Sequence, residues 1–288
     1  MNNSAARGKV NPWEVIDYFL PSLAMAGDYA LEIQARVQSS GDKLTGATRI
    51  SRALTDADLS VQSLIEVAAL ARFPGFAYHT EELDRSLNFK YFPKSSDYLL
   101  ALDPINGTLF YQDGLPIFDI ILTLIRGREI VAVIDYIPGR QTYFMAIRGE
   151  GAFTTTRADA LERRPWQTFR LGPPAEPVLV YRLDGRDQAR LAESFQVVDL
   201  ERDYRPPDWR YTAHSLLTGD VSAYVKRSAQ LIDWGAVAFI AEQAGGAVSD
   251  FGGSPAPNFF DFPETRVPNL VAAASREILD QVVATLRG

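Results

Sequence analysis

The sequence predicts an α+β lobe followed by an α/β lobe. Two stretches with helical periodicity open the chain, a series of apolar strands separated by tight turns follows, and short strands then alternate with helices. Helices and strands in separate stretches of the chain indicate the α+β class, and alternating helices and strands indicate the α/β class. We place the division at residue 170, with lobes over 1–170 and 171–288, because Arg and Pro become frequent between Ala160 and Pro177.

The first two elements are predicted as helices. The first begins with a polar cap, a proline and an acid, a pattern typical of a helix start: Asn11, Pro12 and Glu14. Apolar residues then recur at helical spacing to about Gln38, with a kink expected at Pro21. The second helix begins near Thr55 or Asp56 and ends before Pro74, which cannot continue it.

Apolar, β-branched and aromatic runs predict the strands. In the first lobe, turn signals separate four such runs into hairpin-linked antiparallel strands: Tyr98–Asp103, Phe118–Ile125, Ile130–Ile137 and Thr142–Ile147. In the second lobe, four shorter runs alternate with helical stretches: Val178–Tyr181, Gln196–Leu200, Ser222–Lys226 and Leu270–Ala274. The last helix is predicted from about Ser275 to Leu286.

Composition limits the classes of function. The chain has 288 residues, of which 47% are hydrophobic, so it can bury a substantial core. Its 36 acidic and 29 basic residues give a net charge of −7, which disfavours nucleic acid or an anionic membrane as the partner and favours a small molecule. The absence of cysteine excludes disulfides and thiolate metal sites. Since no apolar segment is long enough to span a bilayer and no secretion signal is evident, we expect a soluble, cytoplasmic protein.

Three acidic positions lie where predicted elements end, and side chains at such places can converge on a cleft. They are Glu81-Glu82 after the second helix, Asp103 at the end of a strand, and Asp233 at the start of a helix predicted over Asp233–Ala244. Carboxylates and carbonyls suit Mg²⁺, whereas zinc is disfavoured in a chain with two histidines and no cysteine. Taken singly, each position also has a plain structural interpretation as a solvated turn, a strand exit or a helix cap. His79 and His214 are interpreted as structural or surface residues.

The segment LDPINGT combines features that suit phosphate chemistry. Asp103 ends a strand, Pro104 fixes the position of the Ile105 carbonyl, and Gly107 and Thr108 open a short helix. The N–H groups at a helix start can bind an anion beside a metal ion held by the aspartate.

Other phosphatase and hydrolase patterns do not fit. An aspartyl-phosphate mechanism needs a second acid two residues after the first, and that position is Ile105. The serine-hydrolase pattern G-x-S-x-G is absent, and the glycine-containing segment 148–151 is too short for a nucleotide loop.

Several of these segments resemble the signatures of the inositol monophosphatase family of Mg²⁺-dependent, lithium-sensitive phosphatases. The similarity covers Glu81-Glu82, Leu102–Thr108 and Ile232–Gly246 in order and approximate spacing, and extends to Thr55–Asp58 and Ala146–Phe153. It implies a layered αβαβα sandwich of the sugar-phosphatase type, with an antiparallel sheet in the first lobe and a mixed sheet in the second. It also implies a homodimer that hydrolyses a phosphomonoester through a metal-activated water.

The resemblance implies metal ligands at the matching positions. Glu81, Asp103 and the Ile105 carbonyl would hold one Mg²⁺. Asp103, Asn106 and Asp233 would frame a second. Two ions can divide the work, because one generates the nucleophile and the other stabilises the leaving oxygen.

The resemblance also implies the catalytic groups. Glu82 would help to hold a third, weaker ion, and Thr108 with Asp58 would orient the attacking water. The amides of Gly107 and Thr108 would hold the phosphate. A loose phosphoryl-transfer transition state needs mainly this kind of positioning and charge neutralisation.

Asn106 departs from the family pattern D-P-x-D-G-T, which has a second aspartate there. The amide keeps an oxygen but loses a charge whose gross interaction with a cation is about 4 kcal/mol at an effective dielectric of 20. We therefore predict a weakened second metal site and low or unusual phosphatase activity. The alternative is a catalytically impaired pseudophosphatase that serves as a ligand-binding or protein-partner module.

The substrate side departs as well. The Gly-Ser-Ala-Ala run of the family is matched to Pro207–Arg210, and Lys226 stands seven residues before Asp233, where inositol-hydrolysing members tend to carry an acid. Lys226 and Arg210 are therefore candidate substrate-binding residues for a second phosphate or a carboxylate, unless the segment is a solvated basic loop. The expected substrate is a small phosphorylated metabolite, a sugar, inositol or nucleotide phosphate, with inositol monophosphate not favoured.

Overall fold

The computed structural model describes residues 10–36, 39–42, 53–173 and 176–288. Its helices are α1 (Pro12–Ile33), α2 (Asp56–Arg72), α3 (Thr108–Gln112), α4 (Arg157–Leu161), α5 (Gly185–Ala192), α6 (Ser215–Thr218), α7 (Ala236–Gln243) and α8 (Arg276–Arg287). Its first strands are β1 (Ser39–Asp42), β2 (Ala53–Thr55), β3 (Ala77–Thr80), β4 (Tyr98–Asn106), β5 (Asp119–Arg126), β6 (Glu129–Ile137) and β7 (Thr142–Ile147). The remaining strands are β8 (Gly151–Thr156), β9 (Gln167–Phe169), β10 (Val178–Tyr181), β11 (Val197–Asp199), β12 (Ala223–Gln230), β13 (Ala247–Ser249) and β14 (Arg266–Ala273).

Local sequence explains where the first two helices begin. The Asn11 side chain accepts from the backbone N–H of Trp13, and Pro12 occupies the first helical position. Thr55 caps α2 and exchanges hydrogen bonds with Asp58, which completes a capping box. The chain remains helical through Pro21 and ends α1 at Ile33. The end predicted near Gln38 lies outside the described residues.

Seven strands, β3 to β9, form the first sheet in chain order. The four predicted strands, β4 to β7, are antiparallel neighbours, as predicted, and β8 and β9, which were not predicted, extend the sheet in the same way. The prediction of a purely antiparallel sheet is wrong at one edge, because β3 pairs with β4 in parallel. The intervening segment 81–97 crosses over and brings the end of β3 beside the end of β4, as a parallel pair requires.

Five strands form the second sheet in the order β11-β10-β12-β14-β13. The strand β10 runs parallel to β11 and to β12, whereas β14 is antiparallel to β12 and β13. The mixed sheet predicted for the second half is therefore confirmed. The first sheet ends at Phe169 and the second begins at Val178, but the division into lobes at 170 stays a prediction.

Helices and sheets alternate in five layers, as the resemblance implies. Apolar residues of α1 and α2 pack on one face of the seven-stranded sheet. The helix α7 lies between the two sheets and shares a core with the other face of the first and the inner face of the second. The helices α5 and α8 cover the outer face of the five-stranded sheet. In the described ranges, no helix is both long and apolar enough to cross a bilayer.

Candidate active site

A cavity of ≈ 590 Å³ lies where the ends of β3, β4, β10 and β12 converge. It brings together nine of the residues predicted for the site: Glu81, Glu82, Asp103, Ile105, Asn106, Gly107, Thr108, Lys226 and Asp233. These residues come from three segments far apart in the chain, and the two sheets carry them to one place. The cavity is the candidate active site.

The end of β4 supplies the central part of the cavity. The pairing register with β5 shifts between Asp103 and Asn106, and this irregularity lets several successive residues of the strand end reach the cavity. Gly107 follows with φ of 89°, a left-handed conformation that suits glycine. A Cβ atom there would also lie 3.0 Å from the Phe110 ring. The glycine therefore permits the sharp change from β4 to α3.

Thr108 and Asp58 are in hydrogen-bond contact. The Thr108 hydroxyl oxygen lies 3.1 Å from Oδ1 of Asp58 and 2.8 Å from the carbonyl oxygen of Ile105. Asp58 is buried at the start of α2, where its other oxygen accepts from the backbone N–H and the hydroxyl of Thr55 at 2.8 Å and 2.6 Å. Since both neighbours of the Thr108 hydroxyl are acceptors, they attract its proton, and its lone pairs remain for another donor.

Asp233 lies in a π-helical turn, Leu231–Gly235, that precedes α7. The sequence predicted Asp233 as the first residue of a regular helix, and that detail is wrong. The turn packs tightly because Gly235 has no side chain: a Cβ there would lie 2.6 Å from the Phe259 ring. Such π turns widen the helix locally and recur at functional sites.

Asp233 and Lys226 are a coupled acid and base. Desolvation raises the pKa of Asp233 to about 6, although the nearby Lys226 opposes the shift. Desolvation likewise lowers the pKa of Lys226 to about 7, opposed by Asp233. The ammonium nitrogen of Lys226 lies 3.9 Å from the centre of the Tyr181 ring, where cation–π attraction favours its charged form. Burial thus moves the pKa values of both side chains toward neutrality.

The donor set fits a hard divalent cation. Glu81, Asp103 and Asp233 line the cavity together, and the charge of Glu81 raises the pKa of Asp233. Among the described residues, however, no group of three or more His, Cys, Asp or Glu side chains is arranged so that it could hold a metal ion by itself. Mg²⁺ is usually held by one or two carboxylates with water and substrate phosphate, so an open set of oxygen donors of this kind suits it.

The structure does not bring Arg210 to the cavity. Its side chain is exposed and donates to the hydroxyl of Tyr211 at 3.0 Å. The cavity is instead lined by Thr212 and Ala213 from the same region. The segment matched to the family's Gly-Ser-Ala-Ala run therefore lies a few residues before the stretch that lines the cavity.

Sequence reasoning missed two basic residues of the cavity wall. Arg182 follows the end of β10 and Arg266 begins β14, and both line the cavity with Lys226. Arg182 immediately follows a predicted strand, and its position at a strand end was the available signal. Arg266 lay outside the predicted strand, which began at Leu270, so no signal marked it.

Comparisons with known proteins agree with this geometry. The model of the inositol monophosphatase family matches residues 23–288. Nus factor SuhB of Pasteurella multocida is 27% identical over 257 residues, covering 87% of this chain and 86% of that protein. Inositol-1-monophosphatase ImpA of Mycolicibacterium smegmatis is 27% identical over 210 residues, covering 70% and 71%.

A solved structure has the same fold. The IMPase of Thermotoga maritima superposes with a TM-score of 0.72 at 22% identity, covering 95% of this chain and 97% of that chain. The family match extends over both sheets and over every segment that forms the cavity. The chain therefore belongs to the inositol monophosphatase family and is a phosphoric monoester hydrolase.

Proposed function

We propose that this protein is a Mg²⁺-dependent phosphomonoesterase that hydrolyses a small phosphorylated metabolite by direct attack of water. The observation that carries the proposal is the convergence of Glu81, Asp103 and Asp233 on one cavity beside the Asp58–Thr108 pair. Carboxylates from three distant segments share this cavity. If the three acids served only as a solvated turn, a strand exit and a helix cap, they would have no reason to lie together.

The proposed metal ligands are those that the family resemblance implies, and all of them line the cavity. Glu81, Asp103 and the Ile105 carbonyl would hold the first ion, and Asp103, Asn106 and Asp233 would frame the second. Glu82, which is buried at the same edge, would contribute to a third. When bound, such ions lower the pKa of a coordinated water and neutralise charge on the phosphoryl group and the leaving oxygen.

The chain's own groups position the nucleophile. Asp58 and the Ile105 carbonyl attract the proton of the Thr108 hydroxyl, so the hydroxyl oxygen can accept a hydrogen bond from a water in the cavity. A water that donates to Thr108 has a lone pair free to face the phosphorus atom. The backbone amides of Gly107 and Thr108 would hold the phosphate on the other side of that water.

The substrate faces a basic wall. Lys226, Arg182 and Arg266 line the part of the cavity contributed by the second sheet. Charged hydrogen bonds to such groups favour an anionic substituent. We therefore expect a sugar or nucleotide phosphate that carries a second phosphate or a carboxylate in preference to inositol monophosphate. Arg210 is not part of this expectation because its side chain is exposed away from the cavity.

Hydrolysis of a panel of phosphomonoesters at increasing Mg²⁺ concentration tests the proposal. We expect turnover that EDTA abolishes and Mg²⁺ restores. Asp103→Asn should reduce kcat/KM by about a thousandfold, which is several kcal/mol of lost transition-state stabilisation. Asp280→Asn, the same chemical change on the exposed face of α8, is the matched control. Equal activity of Asp103→Asn and the control would refute the assignment.

Two further expectations follow from the family resemblance. A homodimer is expected, and light scattering at several protein concentrations measures its mass. Cytoplasmic location stays a prediction. The comparisons give no support to a pseudophosphatase, so the departure at Asn106 needs an explanation compatible with activity.

A further inference from the structure

Three buried polar residues lie directly behind the cavity, and we call them the Asp119 cluster: Asp119, Asp135 and His214. Asp119 and Asp135 have no exposed surface, and His214 is 2% exposed. Nδ1 of His214 lies 3.3 Å from Oδ1 of Asp119, and Asp119 is near enough to Asp135 for its charge to raise the pKa of that buried carboxyl. A fully buried carboxylate is costly to desolvate, so its presence beside the cavity needs a physical reason.

The Asp119 cluster touches the cavity through Asn106. The side-chain nitrogen of Asn106 lies 3.1 Å and 3.3 Å from the two oxygens of Asp119. The two residues are also opposite one another in the β4–β5 register, so the sheet itself fixes their separation. An amide turned the other way would place its oxygen against two carboxylate oxygens. Asp119 therefore leaves Oδ1 of Asn106 as the atom available to a ligand in the cavity.

In this chain the negative charge lies one side chain further from the cavity than in the family pattern. The family pattern has an aspartate where this chain has Asn106, and this chain has a buried carboxylate immediately behind it. In the described ranges, no Lys or Arg forms an ion pair with Asp119. Besides His214, whose Nδ1 lies 3.3 Å from Asp119, a cation in the cavity would compensate that charge, acting through the amide of Asn106.

We propose that Asp119 is a positioning residue for Asn106, and that the Asp119–Asn106 pair replaces the second aspartate of the family motif. Asp119 directs the amide oxygen to the cavity and supplies the negative charge that the amide lacks. An aspartate at 106 would instead place two carboxylates in contact in a buried site, which the chain avoids by having an amide. The inference rests on the proposed function of the cavity as a metal site.

A charge-swap cycle tests the proposal on the full chain. The variants are Asn106→Asp, Asp119→Asn and the two changes combined, with Asp280→Asn as the exposed control. Mg²⁺ and Mn²⁺ binding is measured by calorimetry without substrate, and thermal unfolding is measured in EDTA. The second measurement reports on the side-chain pair with no metal present.

The expected results differ for each variant. Asp119→Asn should weaken Mg²⁺ binding on the order of tenfold or more, the usual effect of losing a group that orients a metal ligand. Asn106→Asp should unfold at lower temperature in EDTA because of the carboxylate contact. The combined variant should recover both properties, because the amide at 119 can then donate to the carboxylate at 106. A purely structural role of Asp119 predicts no recovery of metal affinity.

Other results would contradict the proposal. Wild-type affinity in Asp119→Asn, an unchanged melting temperature in Asn106→Asp, or no recovery in the combined variant would each overturn the role of Asp119. If the wild type binds neither metal, the proposed function of the cavity fails and this inference fails with it. Metal binding by the wild type together with additive effects in the cycle overturns this inference alone.

Discussion

The two walls of the cavity are built in different ways. The acidic wall is centred on one continuous segment, in which β4 runs through Asp103 into the turn at Gly107 and the start of α3 at Thr108, and Glu81 and Asp233 lie beside this segment. The basic wall collects Arg182, Lys226 and Arg266 from three separate strands or strand ends of the second sheet. The central segment of the acidic wall is thus fixed by local chain geometry, whereas the whole basic wall is fixed by topology.

This difference bears on the functions of the two walls. A short segment with an irregular strand end and a glycine in the left-handed region permits little variation, because each residue depends on the conformation of the next. Strand positions that face a cavity can change side chain without changing the fold. In the proposed function, the acidic wall would therefore carry the chemistry common to the family, and the basic wall the specificity of this chain.

After the loss expected of Asp103→Asn, the largest effect should come from removing the hydroxyl of Thr108 in the acidic wall. Thr108→Val keeps the shape of the side chain but cannot bond to Asp58 or to a water. We expect kcat to fall about a hundredfold, the lower end of what a positioned proton-accepting group contributes, with Mg²⁺ affinity unchanged. Thr108→Ser should retain most of the activity. Steady-state kinetics and calorimetry separate the two quantities.

A matched control lies on β5. The hydroxyl oxygen of Thr123 is buried and has no hydrogen-bond partner in the described part of the chain, so Thr123→Val makes the same change without removing a contact. If Thr108→Val were no worse than Thr123→Val, the hydroxyl of the acidic wall would have no part in positioning water.

A smaller effect is expected on the basic wall. Lys226→Gln removes the charge that lies over the Tyr181 ring. For an ester with a second anionic group we expect KM to rise about tenfold, the value of one charged hydrogen bond, with kcat nearly unchanged. For an ester without that group KM should change little. The exposed Lys90→Gln is the control, and an equal rise in KM for both ester types would remove Lys226 from substrate selection.

The same contrast explains what could be predicted from the sequence. Long apolar runs identified β4 to β7, because most residues of these strands are buried in the core and are therefore apolar. The strands β3, β8 and β9 were not predicted because they are short and partly polar. They are recognisable as strands only from their pairing with neighbouring strands. The motif around Asp103 was found because its chemistry is contiguous in the chain.

The rest of the site arises from the approach of distant strands. No local pattern connects Arg182 with Arg266, and the register that places Asp119 opposite Asn106 exists only in the folded sheet. A signal for the Asp119 cluster was nevertheless present. Asp119 and Asp135 each interrupt an apolar strand, and an acid in such a position is buried with a partner or serves a function.

The smallest effect concerns the Asp119 cluster itself and appears as a change in stability with pH. Burial, together with the neighbouring charge of Asp119, raises the pKa of Asp135 well above its usual value. The folded chain then holds a proton that the unfolded chain releases above the ordinary aspartate pKa of about 3.9. Stability conferred by the protonated group is therefore lost as pH rises from that value toward the raised pKa.

Asp135→Asn should remove this dependence. The amide is neutral at every pH, so it never places a second negative charge beside Asp119. We expect equal melting temperatures for the variant and the wild type near pH 4, and a variant more stable by a few degrees at pH 8, since about 1 kcal/mol moves the melting temperature of a chain this size by roughly 2–4 °C. Asp280→Asn, on the exposed face of α8, should show no such pH-dependent gain. An equal loss of stability at both pH values would mean that Asp119 and Asp135 do not share a proton, and that the cluster is held together by packing alone.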